Sequence, residues 1–250
     1  MLDGPQCAAL EPALQAMGEQ LAGGVFTPGE ATGDCLRFCQ AIKTLLSRMP
    51  NVRVALGTEV QGLTTERQRV VAVRTAQGDL AADAVVVASG MFSVPLLKPL
   101  GISLPLYALR GYSLSVPVGP QTKMPQMSVT DAARKVVYAP LGKRLRIAAM
   151  VDMGVDRAEV NPGRITLLKQ QVAEVFPDLD TTQVNAWAGL RPSTADSKPI
   201  IGRADGYTNL WLNLGQGALG FTLASGSAKL LTALMTRQPP PIDPTPFQLR

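Results

Sequence analysis

The stretch with the clearest capacity for chemistry lies near the C-terminus. An apolar, strand-like run, Asn209-Leu210-Trp211-Leu212-Asn213-Leu214, gives way to Gly215, Gln216, Gly217, Ala218, Leu219 and Gly220, and then to a helical pattern. The first amides of a helix have no partners inside it, and the aligned peptide dipoles add positive potential there. Strand, glycine turn and helix start in this order suit a negatively polarised ligand atom, because glycine lets it approach the backbone closely. A tight connection without a ligand has the same spelling. Upstream, Arg191 stands in Ala188-Gly189-Leu190-Arg191-Pro192-Ser193-Thr194. Its guanidinium can take a planar carboxylate through two parallel hydrogen bonds.

Composition removes several other chemistries. The chain of 250 residues contains no histidine, which excludes an imidazole base and any histidine-containing metal site. Cys35 and Cys39 lie four apart on one helix face, and two thiols cannot complete a four-ligand zinc site, so they read as core thiols. With Cys7 they make an odd number of cysteines behind a start, Met1-Leu2-Asp3-Gly4-Pro5-Gln6, that has no basic or apolar leader pattern. A reducing, cytoplasmic setting is the expectation. No unbroken apolar run reaches about 18 residues, so no membrane span is expected. The net charge of +5 is spread along the chain, and its densest part, Lys143, Arg144 and Arg146, alternates with apolar residues. Without a clustered basic stripe, no nucleic-acid partner is expected. An apolar share of 46% against 17% charged is that of an ordinary folded protein.

Periodicity supplies the elements that must position these residues. Residues 7–21 read as a helix through Leu10, Leu14, Met17 and Leu21, and Val25 to Thr27 as a short strand. Thr32 to Arg48 is a second helix, with Thr32 or Asp34 as its cap. A strand at 52–56 and a meander over Val60–Leu63, Val70–Thr75 and Asp79–Ala82 follow. Ala84 to Ala88 is a continuous apolar run, as in a strand buried on both faces of a parallel sheet. Strands are expected at 107–116, 127–130, 136–139 and 145–150, then a helix at 165–176. Strands at 184–190 and 210–214, a helix at 219–235 and a proline-rich extended tail close the pattern. The sum is an α/β part with an interleaved antiparallel α+β part.

The order Trp187-Ala188-Gly189-Leu190-Arg191-Pro192-Ser193-Thr194, then Lys198-Pro199-Ile200-Ile201-Gly202, then Asn209 to Thr222 resembles the C-terminus of the D-amino-acid dehydrogenase family. Leu10 to Leu14, Ala31 to Cys35, Val87 to Gly90 and Leu109 to Leu114 fall in that family's order too. The family belongs to the glycine oxidase and D-amino-acid oxidase group of FAD enzymes. The resemblance implies a partial amino-acid oxidase-like fold, with residues 27–97 and 181–250 as the remainder of an FAD-binding domain. Residues 1–26 and 98–180 would form the substrate-binding domain.

The resemblance further implies oxidation of a D-amino acid or related amino acid to the imino and then oxo acid, by hydride transfer to FAD, with a quinone or oxygen as electron acceptor. Arg191 would hold the substrate carboxylate. Gly215, Gln216, Gly217, Ala218, Leu219 and Gly220 would face the flavin ring, with Gln216 where the family often has histidine. Ser89 and Gly90 would pass the cofactor, Val60 would face the adenine, and Tyr112 would reach the substrate pocket. A plain meander valine and a packing tyrosine are the other readings of Val60 and Tyr112. The family's pyrophosphate-binding glycine turn, which belongs in an N-terminal βαβ unit, has no counterpart after a strand here. The alternative expectation is therefore an inactive fragment, or a partner subunit needing an N-terminal dinucleotide-binding piece to bind FAD. Its uncovered apolar sheet surface would favour a homodimer. Some family members attach peripherally to the inner face of the membrane, and the resemblance carries that expectation as well.

Overall fold

The structure, a computed structural model, describes residues 1–119 and 122–249. The chain begins with β1 (Leu2–Asp3), α1 (Gly4–Leu10), β2 (Gly23–Gly24), α2 (Cys35–Leu46), β3 (Val60–Glu66), β4 (Arg69–Thr75), β5 (Gly78–Ala81) and β6 (Val85–Val87). It continues through α3 (Ser93–Leu97), β7 (Tyr107–Pro117), β8 (Val129–Asp131), β9 (Val136–Pro140), β10 (Arg144–Asp152) and α4 (Pro162–Val175). It ends with β11 (Asn185–Ser193), β12 (Ile200–Arg203), β13 (Leu210–Leu214) and α5 (Gly220–Met235). Two compact units share these elements. One comprises Met1–Ala41, Arg110–Asp152 and Arg157–Gly189; the other comprises Ile42–Leu109, Met153–Asp156 and Leu190–Arg250. The sequence-based boundaries lie instead after residues 26, 97 and 180.

In the first unit the strand order is β11-β7-β10-β9-β8. Alternation puts Leu114, Val116, Leu145, Ile147, Val136 and Tyr138 into one core with Leu168, Val172 and Val175 of α4. Each such large side chain contributes roughly 1.5–3 kcal/mol by leaving water. Phe176 closes that core edge-on against Tyr138, with ring centroids 4.8 Å apart. Pro162 opens α4 at a position where its missing N–H costs nothing, and Asn161 caps it by accepting from the Gly163 and Arg164 amides.

The helix expected over 7–21 breaks after Leu10 and resumes as 3-10 turns over Pro12–Gln20. Pro12 has no N–H to continue the ladder. The buried Glu11 carboxylate is drawn across the unit to accept from the Gln126 and Met127 amides at 2.7 and 3.1 Å. Residues 25–27 and 52–56 form no strand. Val54 and Leu56 are 39% and 70% exposed, and alternation without a neighbouring strand to pair makes no ladder. Asp34 caps α2 as expected, yet this helix buries none of its residues: Leu36, Ile42 and Leu45 of the apolar stripe stay exposed.

The second unit holds the antiparallel meander β3-β4-β5 and the sheet β12-β13-β6. β13 runs parallel to β6 with Leu210 opposite Val85 and Leu212 opposite Val87, and antiparallel to β12. Leu210, Leu212, Leu214, Val85, Val87, Leu97 and Ile102 form the core. Leu230 and Leu231 of α5 pack against Ile201. Val86 is 43% exposed, contrary to a strand covered on both faces, and β6 is an edge with a partner on one side only. The α/β part with interleaved antiparallel sheets is as the sequence pattern implies. One helix, Gly217–Met235, is long and apolar enough by length and composition to cross a membrane, where no span was expected; it is the sheet-packed α5 with its leading turn.

Asn209 ties the meander to the parallel pair. Its buried amide donates to the Val70 and Asp83 carbonyls at 2.7 and 2.8 Å and accepts from the Val70 amide at 2.9 Å. Replacing it by the similarly sized leucine strands the two buried backbone groups of Val70 and the part-buried carbonyl of Asp83. Asn209→Leu is expected to cost about 3 kcal/mol, since each stranded group carries a desolvation penalty. Urea denaturation measures this, and a loss under about 1 kcal/mol would show that the amide is no staple.

Candidate functional site

In the second unit the glycine turn sits at the carboxyl edge of the parallel pair, the usual ligand edge of such sheets. β13 stops at Gly215, whose φ is +80°, and a Cβ there would lie 3.0 Å from Thr194 Cγ2 and 3.1 Å from Leu106 Cδ2. Gly217 has φ +55° and would press a Cβ to 3.1 Å from Ser193 Oγ. The left-handed backbone and the packing thus both call for glycine. Gln216 bridges to Ser193 across the turn and gives its side-chain amide to Asn213. One 3-10 turn, Gly217–Leu219, then leads into α5, and no side chain caps either. Leu219 is 57% exposed, and its own amide donates to the Gln216 carbonyl at 3.1 Å.

β6 delivers the second half of the site. Ser89 and Gly90 follow it directly; Ser89 Oγ meets Ser93 Oγ at 2.8 Å, and a Cβ on Gly90 would lie 3.8 Å from Pro192 Cγ. Arg191, half-buried in β11, immediately precedes Pro192. Gly90 therefore neighbours Pro192, and Gly215 and Gly217 neighbour Thr194 and Ser193. Val60 is not placed with them: it opens β3, pairs with Thr75 and is 44% exposed.

Tyr112 belongs to the first unit and is 1% exposed, on the same face of β7 as Leu114. Its hydroxyl donates to Asp152 at 2.6 Å. Asp152 also pairs with Arg110 at 3.2 Å and Arg164 at 2.7 Å, and the Arg110 guanidinium lies over the Tyr112 ring. A bulge makes this possible. The register slips between Ala149 and Val151, with Met150 at φ +63°, so Asp152 comes to stand opposite Arg110 on the core face. The Tyr112 hydrogen bond, working against burial and followed by Arg110 and Arg164, holds the Asp152 carboxyl below the usual carboxylate range. Burial first, and then Asp152, pushes the Tyr112 phenol up. The packing reading of Tyr112 accounts for its ring and its hydroxyl.

Sequence reasoning passed over Asp152 and Arg164, and also a pair on the sheet's other face. Arg146 alternates with the core residues Leu145 and Ile147, and its guanidinium lies over the Trp187 ring, 5.9 Å from the centroid. The indole lies along β11 over Gly189, where any Cβ would collide with its Cη2. Alternation along the two strands was a usable signal; their pairing was not. Burial, then the neighbouring Cys39, push the Cys35 thiol up against a lowering by Arg146. All three cysteines are free, and no cluster of metal-ligating side chains occurs among the described residues.

The profile of the DAO family, described as FAD dependent oxidoreductase, matches residues 1–234. The chain belongs to this family. Among relatives of this chain, D-amino acid dehydrogenase 2 of Pseudomonas aeruginosa is 45% identical over 248 residues, covering 98% of this chain and 58% of the relative. The D-amino acid dehydrogenase of Cereibacter sphaeroides is 39% identical over 244 residues, covering 97% of this chain and 56% of the relative. The chain thus spans somewhat over half the length of the curated relatives it matches. The crystal structure of glycine oxidase from Geobacillus kaustophilus superposes with a TM-score of 0.89 at 26% identity, over 100% of this chain and 66% of that one. L-proline dehydrogenase from P. horikoshii shares the fold, with a TM-score of 0.84 at 18% identity, over 100% of this chain and 69% of that one. FAD is the family's cofactor. The start of α5, which no side chain caps, fits the electron-rich edge of a flavin ring.

The Asp152 network carries a pH signature. Its folded pKa is depressed, so its contribution to stability is present above the unfolded pKa of about 3.9 and is lost as pH falls through the folded value. Thermal melts between pH 7 and pH 2 should show the wild type losing its advantage over Asp152→Asn in the acid range. A gap between the two that stays constant down to pH 2 would show that Asp152 is not held by this network.

Proposed function

We propose that this protein is the substrate-side part of an FAD-dependent oxidoreductase that converts a D-amino acid to its imino acid, which water hydrolyses to the oxo acid and ammonia. The carrying observation is the uncapped amide cluster at the start of α5, at the carboxyl edge of β6 and β13. Bound FAD supplies the acceptor for the hydride removed from the amino-acid carbon. The turn from Gly217 to Gly220 and the start of α5, which no side chain caps, would offer partial positive potential to such a ring. Arg191 takes the substrate carboxylate and fixes which hydrogen is presented. A quinone or oxygen would be the final electron acceptor. No side-chain base beyond water is required, which suits a chain without histidine.

A second reading is favoured by the free edge of β6, the exposure of Val86 and the exposed stripe of α2. In it the chain takes up FAD only together with a dinucleotide-binding βαβ segment that pairs with that edge. One preparation separates the two. The purified chain is mixed with FAD, desalted, and read at the flavin band near roughly 450 nm, then assayed for dye reduction with D-alanine. Retained flavin and dye reduction support the first reading. A colourless chain that becomes yellow on co-expression with such a segment supports the second, and a chain colourless in both arms overturns both.

A further inference from the structure

We propose that the Ser193 hydroxyl is a hydrogen-bond donor to the flavin ring held at the glycine turn, and so helps to set that ring's reduction potential. The inference rests on the flavin position proposed above and adds a residue to it. Every group it uses belongs to the second unit. Ser193 ends β11 and is 7% exposed. Its backbone bridges to Gln216, and its Oγ lies 3.1 Å from where a Cβ on Gly217 would stand. The hydroxyl therefore sits beside the first residue of the turn that leads into α5. A side chain on Gly217 would crowd that oxygen; glycine leaves it open.

Other hydroxyls around this corner are spent inside the protein. Thr194 Oγ1 donates to the Lys198 carbonyl at 2.8 Å, and Tyr107 gives its hydroxyl to the Thr194 carbonyl at 3.2 Å. Ser93 Oγ meets Ser89 Oγ. No hydrogen bond engages the Ser193 hydroxyl among the described residues. A hydroxyl taken this far out of water without a partner costs free energy, so such groups are nearly always satisfied. The start of α5 adds positive potential on the same side. A ligand atom that suits both is an electron-rich oxygen or nitrogen, as at the pyrimidine edge of a flavin, and not an ammonium group. Hydrogen bonds to a charged acceptor are roughly twice as strong as those to a neutral one. The hydroxyl therefore favours the reduced, electron-rich ring over the oxidised one, and raises its potential.

The test compares Ser193→Ala with the unsubstituted chain, each loaded with FAD directly or by co-expression with the dinucleotide-binding segment. The midpoint potential of the bound flavin is read by equilibrium reduction against a reference dye, which needs no turnover. Ser193→Ala should bind reduced flavin about tenfold more weakly relative to oxidised flavin, a fall of about 30 mV for a two-electron couple. Ser193→Thr keeps the hydroxyl and should restore the potential, while Ser193→Cys, a weaker donor, should fall between the two. A potential unmoved in Ser193→Ala defeats the proposal even if the melting temperature drops, because the serine then only packs. An equal fall in Ser193→Ala and Ser193→Thr defeats it as well, since the loss then follows shape and not the hydroxyl. If Ser193→Ala does not fold, Ser193→Cys carries the comparison: a lowered potential supports the donor and an unmoved one removes it. Chains that take up no flavin by either loading defeat the flavin position and this inference with it. Flavin held at an unmoved potential defeats the serine alone.

Discussion

The second unit depends on one buried amide. Asn209 stands just before β13 and binds both backbone groups of Val70 and the carbonyl of Asp83, which lies just before β6. It therefore fixes the start of the two parallel strands relative to the meander, and through their register it fixes where they end. Those ends are the glycine turn and the Ser89–Gly90 corner. A short parallel pair has few hydrogen bonds to set its register, so a side chain that closes the amino end positions the carboxyl end. The uncapped amides of α5 are where they are because β13 cannot slide.

The first unit solves a different problem, that of holding arginines on a sheet with an apolar core. Arg110, Arg144 and Arg164 are each drawn to a carboxylate, and the β10 bulge at Met150 turns Asp152 toward two of them. A charge that is partly removed from water must be paired or it costs several kcal/mol. Arg146 stands out against this background because its neighbours follow the rule so consistently.

Both units leave apolar surface uncovered, on α2 and around Val86. Surface of this kind is normally covered in a finished protein. The curated relatives extend well beyond the span matched here, so their chains contain material available for that purpose.

The local pattern of the sequence determined most elements: the meander, the strands β9 and β10, the helices α2, α4 and α5, and the strand–glycine–helix order. These follow from periodicities and turn residues within a few positions of one another. It also carried the family, because ordered motifs from Leu10 to Thr222 survive in the linear chain. It misread residues 7–21 and 52–56, where Glu11 found partners at 126 and 127 and where no strand came to pair. Only the tertiary structure decided that Asn209 is a staple, that Tyr112 is spent on Asp152, that Val60 stands apart from the glycine turn, and that Arg146 lies over Trp187. Each of those is a contact between residues far apart in the chain. A bulge of one residue, invisible to alternation, changes which side chains meet.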